Sequence, residues 1–296
     1  MDADKPADRG LRERAGSTSS SFAHSYSALV GWGATKTLPQ RLRPFAYRAF
    51  ARAVGANLDE AELSLDAYPS FGDFFARRLR NGARSIDRGQ HSVISPCDGV
   101  VAAAGVAVGG ALVQAKGRNY TLAELLASSE LADRFIGGEY ATIYLSPRDY
   151  HRVHAPVSGR LLSYDYIPGA LWPVNPRVVG RREGVFARNE RVVIHVNSPQ
   201  LGDVGVVMVG AAGVGNITLH HGFGGGELSS RALRGAGERY RSELDVEVAR
   251  GDELGAFRLG STVILVFQPG RARLALAEHQ ALHFGEPIGQ VVEGNA

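Results

Sequence analysis

The chain has 296 residues, 44% hydrophobic and 21% charged, which excludes disorder and leaves room for one large domain or two smaller ones. Its 33 Lys+Arg against 30 Asp+Glu give a formal charge of only +3, too weak a bias to argue for nucleic acid as a partner. A single cysteine, Cys97, excludes an intramolecular disulfide framework and a Cys-rich metal site. In chain order, residues 1–20 are polar and read as a flexible tail. Residues 21–89 read as a helical, membrane-associating segment. No acidic residue occurs from Ser17 to Leu58, whereas Lys36, Arg41, Arg43, Arg48 and Arg52 do. Leu42, Phe45, Ala46, Ala49, Phe50, Ala53 and Val54 recur at helical spacing, and Pro44 falls in the first turn, where it is tolerated. This amphipathic helix over 41–54, with Trp32 and Tyr47 as interfacial rings, has two readings. It lies in a membrane surface, or it packs on its own core with arginines facing water. The missing acids favour an anionic bilayer. A second helix is expected around Phe71, Phe74 and Phe75, ahead of Arg77-Arg78-Leu79-Arg80.

Residues 90–296 read as a β-rich catalytic domain. Apolar alternation marks Val192–Val196, Val204–Leu219 and Leu244, Val246 and Val248, and Val263–Phe267 is a continuous run suited to a strand buried on both faces. Leu122–Leu126 reads as a short helix. The fold class is therefore α+β: mostly antiparallel hairpins, barrel- or sandwich-like, behind N-terminal amphipathic helices. Two turns look alike, Gly251–Gly255 and Gly285–Gly289, and hint at two related hairpin units. No apolar run approaches the ~18 residues needed to span a bilayer, and no secretory signal is evident, so a peripheral protein on the cytoplasmic face is expected.

Four segments carry polar residues and glycines inside apolar surroundings. Ser95-Pro-Cys-Asp-Gly99 follows an apolar pair, and its Asp98 is either a self-bonding turn residue or a functional acid. Tyr144–His154 ends in His151 and His154, three apart; on a helical turn that spacing could bind a metal, but no third ligand or zincin glutamate accompanies them, so no metal is expected and the general-base reading fits better. Leu259-Gly-Ser-Thr262 enters the buried strand and lacks the glycine pattern of a nucleophile elbow. Val209–Asn216 is glycine-spaced but opens no βαβ unit, so it reads as a strand passing close to another backbone. From residue types alone, Asp98, His154 and Ser261 could form an Asp–His–Ser set.

Taken together, these segments resemble the phosphatidylserine decarboxylase family, of the bacterial proenzyme type. The resemblance runs through Gly31–Lys36, Phe74–Arg80, Ser95–Gly99, Gln114–Tyr120, Tyr144–His154, Phe186–Arg191 and Gly255–Thr262. It implies a zymogen that cuts itself between Gly260 and Ser261, leaving a large chain 1–260 and a small chain 261–296 as a heterodimer, with further dimerisation open. Ser261 would become an N-terminal pyruvoyl group, the site of a Schiff base with phosphatidylserine. Asp98, His154 and Ser261 would be the charge relay for self-cleavage, and His151 the candidate for proton transfer in decarboxylation to phosphatidylethanolamine. Lysines occur only at Lys5, Lys36 and Lys116, which agrees with an electrophile built from the chain itself. Cys97 stands where the family more often has Ala, and Asn216 where it more often has Ser. The headgroup pocket around 213–230 is left open, including the glycines Gly222–Gly226. A serine hydrolase using the same Asp98, His154 and Ser261 without self-cleavage is the rival reading. A lipoyl-like carrier module would need a hairpin lysine, and none follows Lys116.

Overall fold

A computed structural model describes residues 36–115, 118–211, 216–220, 229–234, 237–258 and 261–292. Gly31–Thr35, Lys116, Gly222–Gly226, Leu259 and Gly260 lie outside the described residues.

The strands in chain order are β1 (Ser92–Ile94), β2 (Gly99–Val106), β3 (Ala111–Ala115), β4 (Arg118–Thr121), β5 (Glu139–Leu145), β6 (Arg152–His154), β7 (Gly159–Ile167) and β8 (Arg191–Ser198). They continue with β9 (Gly202–Gly210), β10 (Ile217–Leu219), β11 (Tyr240–Val248), β12 (Glu253–Phe257), β13 (Ser261–Phe267), β14 (Ala272–Leu274), β15 (Ala281–Leu282) and β16 (Pro287–Val291). The main sheet runs β11-β7-β8-β9-β13-β5-β2-β15, all neighbours antiparallel. It is an open sheet, so the expected α+β class holds while the barrel form of it does not. Strand β13 has no solvent-facing edge. It is paired with β5 on one side and β9 on the other and buried at every residue, which is why its sequence is apolar without alternation. At the sheet's edge β11 does alternate, its glutamates and Asp245 facing outward. Within the apolar stretch Val204–Leu219, β9 ends at Gly210 in the main sheet and β10 belongs to another.

Two three-stranded sheets, β1-β16-β14 and β10-β12-β6, repeat one pattern of backbone hydrogen bonds at their turns. Gly285 and Gly251, the glycines that open the two similar turns, both adopt left-handed φ angles, 91° and 93°, which only glycine takes at low cost. Gly285 N–H donates to Ser95 O and Gly251 N–H to Ala155 O. In the same pattern Ser95 N–H donates to Glu286 O, and Ala155 N–H to Asp252 O. The two units then exchange bonds: Ile94 N–H reaches Pro156 O, and His154 N–H reaches Pro96 O. That exchange draws the turn carrying Asp98 against the strand carrying His154.

Of the helices, α1 (Arg43–Val54) begins with Pro44 in its first turn and ends at Gly55 in the left-handed region. Helix α2 (Phe71–Phe75) is a single short stretch capped by the Ser70 side chain, which accepts from Asp73 N–H. Helix α3 (Leu122–Leu126) carries a capping box between Thr121 and Glu124. Tyr47 and Phe50 of α1 pack on α2: the Tyr47 ring stacks 4.4 Å from Phe74, and Phe50 meets Phe71 edge-on at 4.7 Å. The single apolar face read from the sequence is thus divided. Tyr47, Phe50, Ala51 and Val54 turn inward, whereas Leu42, Phe45, Ala46, Ala49 and Ala53 form an outward stripe beside Arg41, Arg48 and Arg52. Phe45 is 79% exposed.

Candidate active site

Asp98 sits in the turn between β1 and β2. Gly99 follows it because the chain there passes so close to β5 that a Cβ would lie 2.6 Å from the Tyr144 carbonyl oxygen. The Asp98 carboxylate is buried, yet it bonds nothing in its own turn. Arg84 grips it with both arms of its guanidinium, Nε to Oδ1 at 3.1 Å and Nη2 to Oδ2 at 2.5 Å. Phe284 N–H donates to Oδ1 at 2.8 Å, and His283 Nδ1 stands 3.7 Å from Oδ2. Arg84 is in turn held by Glu60 at 3.0 Å. Burial would lower the guanidinium's pKa, but its bonds to the two carboxylates outweigh this and raise it, so Arg84 stays charged.

His154 lies in β6, against that turn. Its Nδ1 is 2.8 Å from the Gly251 carbonyl oxygen and therefore carries the proton, leaving Nε2 to accept from the Tyr150 hydroxyl at 3.0 Å. The Phe284 ring stacks on the imidazole, 3.7 Å between centroids and 14° from parallel. Phe284 thus touches both groups, its peptide on the acid and its ring on the base. The carboxylate of Asp98 and the imidazole of His154 do not bond each other here. Burial pushes the His154 pKa down to about 4.

His151 precedes β6 in extended chain, so the two histidines do not share a helical face. Its imidazole is fully buried against Phe75, ring centroids 4.1 Å apart. Nδ1 donates to the Asp149 carbonyl oxygen at 2.8 Å, and Nε2 has no hydrogen-bond partner among the described residues. Burial lowers its pKa to about 3. Ser261 opens β13 opposite Leu145 and Gly210, with no solvent exposure, and its hydroxyl, like those of Ser163 and Thr262, has no partner among the described residues. A buried hydroxyl left unpaired costs about 1–3 kcal/mol.

Sequence reasoning missed Arg84, Phe284 and the Gly251 carbonyl, because each reaches the site from a distant part of the chain. Arg77 was visible only as part of a basic run. It is 3% exposed, its guanidinium lies 5.3 Å from the centre of the Phe74 ring, and burial lowers its pKa. A cleft of about 320 Å³ opens over Asp98, walled by Glu60, Arg77, Arg84, Arg148 and Asp149. Cys97 is buried in the main core, where burial raises its thiol pKa and keeps it neutral. Asn216 accepts from the Ser229 hydroxyl at 2.6 Å. Among the described residues no group of three or more His, Cys, Asp or Glu is placed to hold a metal ion, and no helix is long and apolar enough to cross a membrane.

A family model for phosphatidylserine decarboxylase matches residues 71–290, from α2 through β16. The chain is 46% identical over 271 residues to the phosphatidylserine decarboxylase proenzyme of Anaeromyxobacter sp. (strain K), covering 90% of this chain and 93% of that one. It is 42% identical over 268 residues to the proenzyme of that name from Myxococcus xanthus, with the same coverage. The likeness to the one from Saccharophagus degradans is 37% over 272 residues.

Proposed function

This chain belongs to the phosphatidylserine decarboxylase family, and from that premise we propose that it is a self-cleaving zymogen whose mature form converts phosphatidylserine to phosphatidylethanolamine through a pyruvoyl group made from Ser261. The observation that carries the reading is the wholly buried hydroxyl of Ser261 at the head of the central strand, without a partner among the described residues.

In the first stage the Ser261 Oγ attacks the carbonyl carbon of Gly260, and the Ser261 nitrogen leaves as an amine, so a peptide bond becomes an ester. His154 accepts the hydroxyl proton and returns it to that nitrogen, with Asp98 stabilising the charge that develops on the imidazole. Fixing the hydroxyl beside its own backbone replaces a bimolecular encounter with an internal one. Loss of the Ser261 Cα proton then breaks the Cβ–Oγ bond. The large chain departs as a carboxylate at Gly260, and water converts the remaining dehydroalanine to a ketone with release of ammonia. The residues fit the product, because this sequence of steps removes a buried hydroxyl that has no partner among the described residues. Once formed, the pyruvoyl group supplies a conjugated ketone that takes up the electrons released as CO₂ departs. His151, neutral at physiological pH and carrying a bare Nε2, first accepts there a proton released by the substrate ammonium as the Schiff base forms, and then passes it to the carbon that has lost CO₂.

A second assignment exchanges the two histidines, and one observation favours it. Both nitrogens of His154 are engaged, by Tyr150 and Gly251, whereas His151 alone of the two has a free lone pair. Single Ala variants separate the assignments by intact mass: loss of cutting in His154→Ala but not His151→Ala supports the first, and the reverse pattern supports the second. Ser261→Ala should remain one inactive chain. Finding it cut into two pieces would refute the pyruvoyl reading, and an active single-chain wild type would return the serine hydrolase.

The substrate carries two acyl chains, so the site must meet a bilayer. The outward apolar stripe of α1 with its flanking arginines is the contact we assign, on the cytoplasmic face, with residues 90–296 as the catalytic domain and 21–89 as the docking segment.

A further inference from the structure

Arg77 follows the end of α2, and neither stage of the reaction uses it. Its side chain is buried, at 3% exposure, and Nε has no hydrogen-bond partner. Among the described residues the guanidinium makes no hydrogen bond and no ion pair; it rests over the face of Phe74, 5.3 Å from the ring centre. The carboxylates of the cleft that it lines are engaged elsewhere. Arg84 holds Glu60 and Asp98, and Arg148 stands 3.6 Å from Asp149. Burial lowers the pKa of Arg77, but a guanidinium does not shed its proton at ordinary pH. A buried cation whose donors lack an acceptor is costly, and an incoming oxyanion would remove that cost.

We propose that Arg77 binds the carboxylate of the substrate's serine headgroup, the group that the reaction removes. The inference rests on the decarboxylase reading and adds the contact by which the site recognises its substrate. Arg77 is held beside His151. The Ala76 carbonyl oxygen accepts from Arg152 Nε at 2.9 Å, and the Phe75 ring packs on the imidazole of His151. Burial is the main cause of the low His151 pKa, and the charge of Arg77 lowers it further. The carbon that His151 protonates is the one that carried the carboxylate, so a cation beside this histidine is within reach of that group. The planar fork of arginine meets both oxygens of a carboxylate at once. A cleft of about 320 Å³ admits a headgroup and excludes two acyl chains. The product lacks the carboxylate and would leave the guanidinium unpaired again, which favours substrate over product. No wall of this cleft comes from 213–230, the stretch that sequence reasoning left open for the headgroup.

The test reads binding and does not depend on turnover. Calorimetry on the uncut Ser261→Ala chain compares glycerophosphoserine with glycerophosphoethanolamine, which differ only in the carboxylate. That chain should bind the serine compound at least tenfold more tightly. Adding Arg77→Met should weaken the serine compound about tenfold, which corresponds to about 1.4 kcal/mol, and leave the ethanolamine compound within twofold. Its thermal midpoint should not fall, because the guanidinium has no acceptor to lose. Arg77→Lys keeps the charge without the fork and should lie between; it reads the same difference should Arg77→Met not fold. Equal weakening of the two compounds would place the arginine on the phosphodiester and overturn the proposal. So would unchanged affinity in both variants, or a Ser261→Ala chain that binds the two compounds alike or binds neither. The decarboxylase reading fails separately, if the wild-type chain does not cut itself.

Discussion

Arg84 does for Asp98 what no neighbour in sequence does: it pairs with the carboxylate and orients it inside the protein. Removing one partner of a buried ion pair costs about 3–5 kcal/mol, because the other charge is left uncompensated. Arg84→Gln should therefore slow self-cleavage by at least tenfold and lower the thermal midpoint, with Arg84→Lys recovering part of each. Cleavage at the wild-type rate in Arg84→Gln, followed by mass spectrometry, would remove Arg84 from the machinery. The histidines give a pH prediction with a definite sign. Burial holds both imidazoles neutral down to about 4 and about 3, so the base is available across the ordinary range. The processing rate should be flat from pH 8 to pH 5 and fall below about 4; a decline centred near 6.5 would mean a solvated imidazole instead. At this scale the candidate residues Asp98, His151, His154 and Ser261 were all visible in the sequence. It could not display which atoms are satisfied, since Phe284 and Arg84 meet Asp98 from 186 and 14 residues away.

The elements were legible where one period dominates. Leu122–Leu126 and the fully buried Val263–Phe267 appear as read, because a capping box closes the first and two flanking strands explain the second. For Val204–Leu219, apolar alternation alone did not show that the chain leaves one sheet for another after Gly210. The pattern in 41–54 misled differently: both faces of α1 are apolar, and periodicity cannot say which of them the protein covers. That division predicts two distinct outcomes. Phe45→Asp should weaken binding to vesicles of anionic phospholipid at least tenfold while leaving the thermal midpoint within about a degree. Tyr47→Ala removes a ring stacked on Phe74 and a hydroxyl bonded to the Tyr68 carbonyl oxygen, so it should destabilise by about 3–5 kcal/mol. Equal vesicle binding by Phe45→Asp and wild type would deny the outward stripe its role.

For the molecule as a whole, the buried neutral histidines set an acid limit. In the unfolded chain they titrate near 6.5; in the folded chain they do so at about 4 and about 3. Between these values the unfolded state binds protons that the folded state refuses, so stability is full above pH 6.5 and declines as pH falls toward 3. The urea midpoint should drop steadily from pH 7 to pH 4, and a constant midpoint would show that the imidazoles are charged inside. The placement of β13 carries a further consequence. If the chain is cut before Ser261, the severed piece still supplies the middle strand of the main sheet, its outermost strand β15, and two strands of a smaller sheet. It cannot slip free without dismantling the core. Once denatured, however, the two pieces would have to find each other in solution, so renaturation should slow on dilution for the matured protein while remaining independent of concentration for uncut Ser261→Ala.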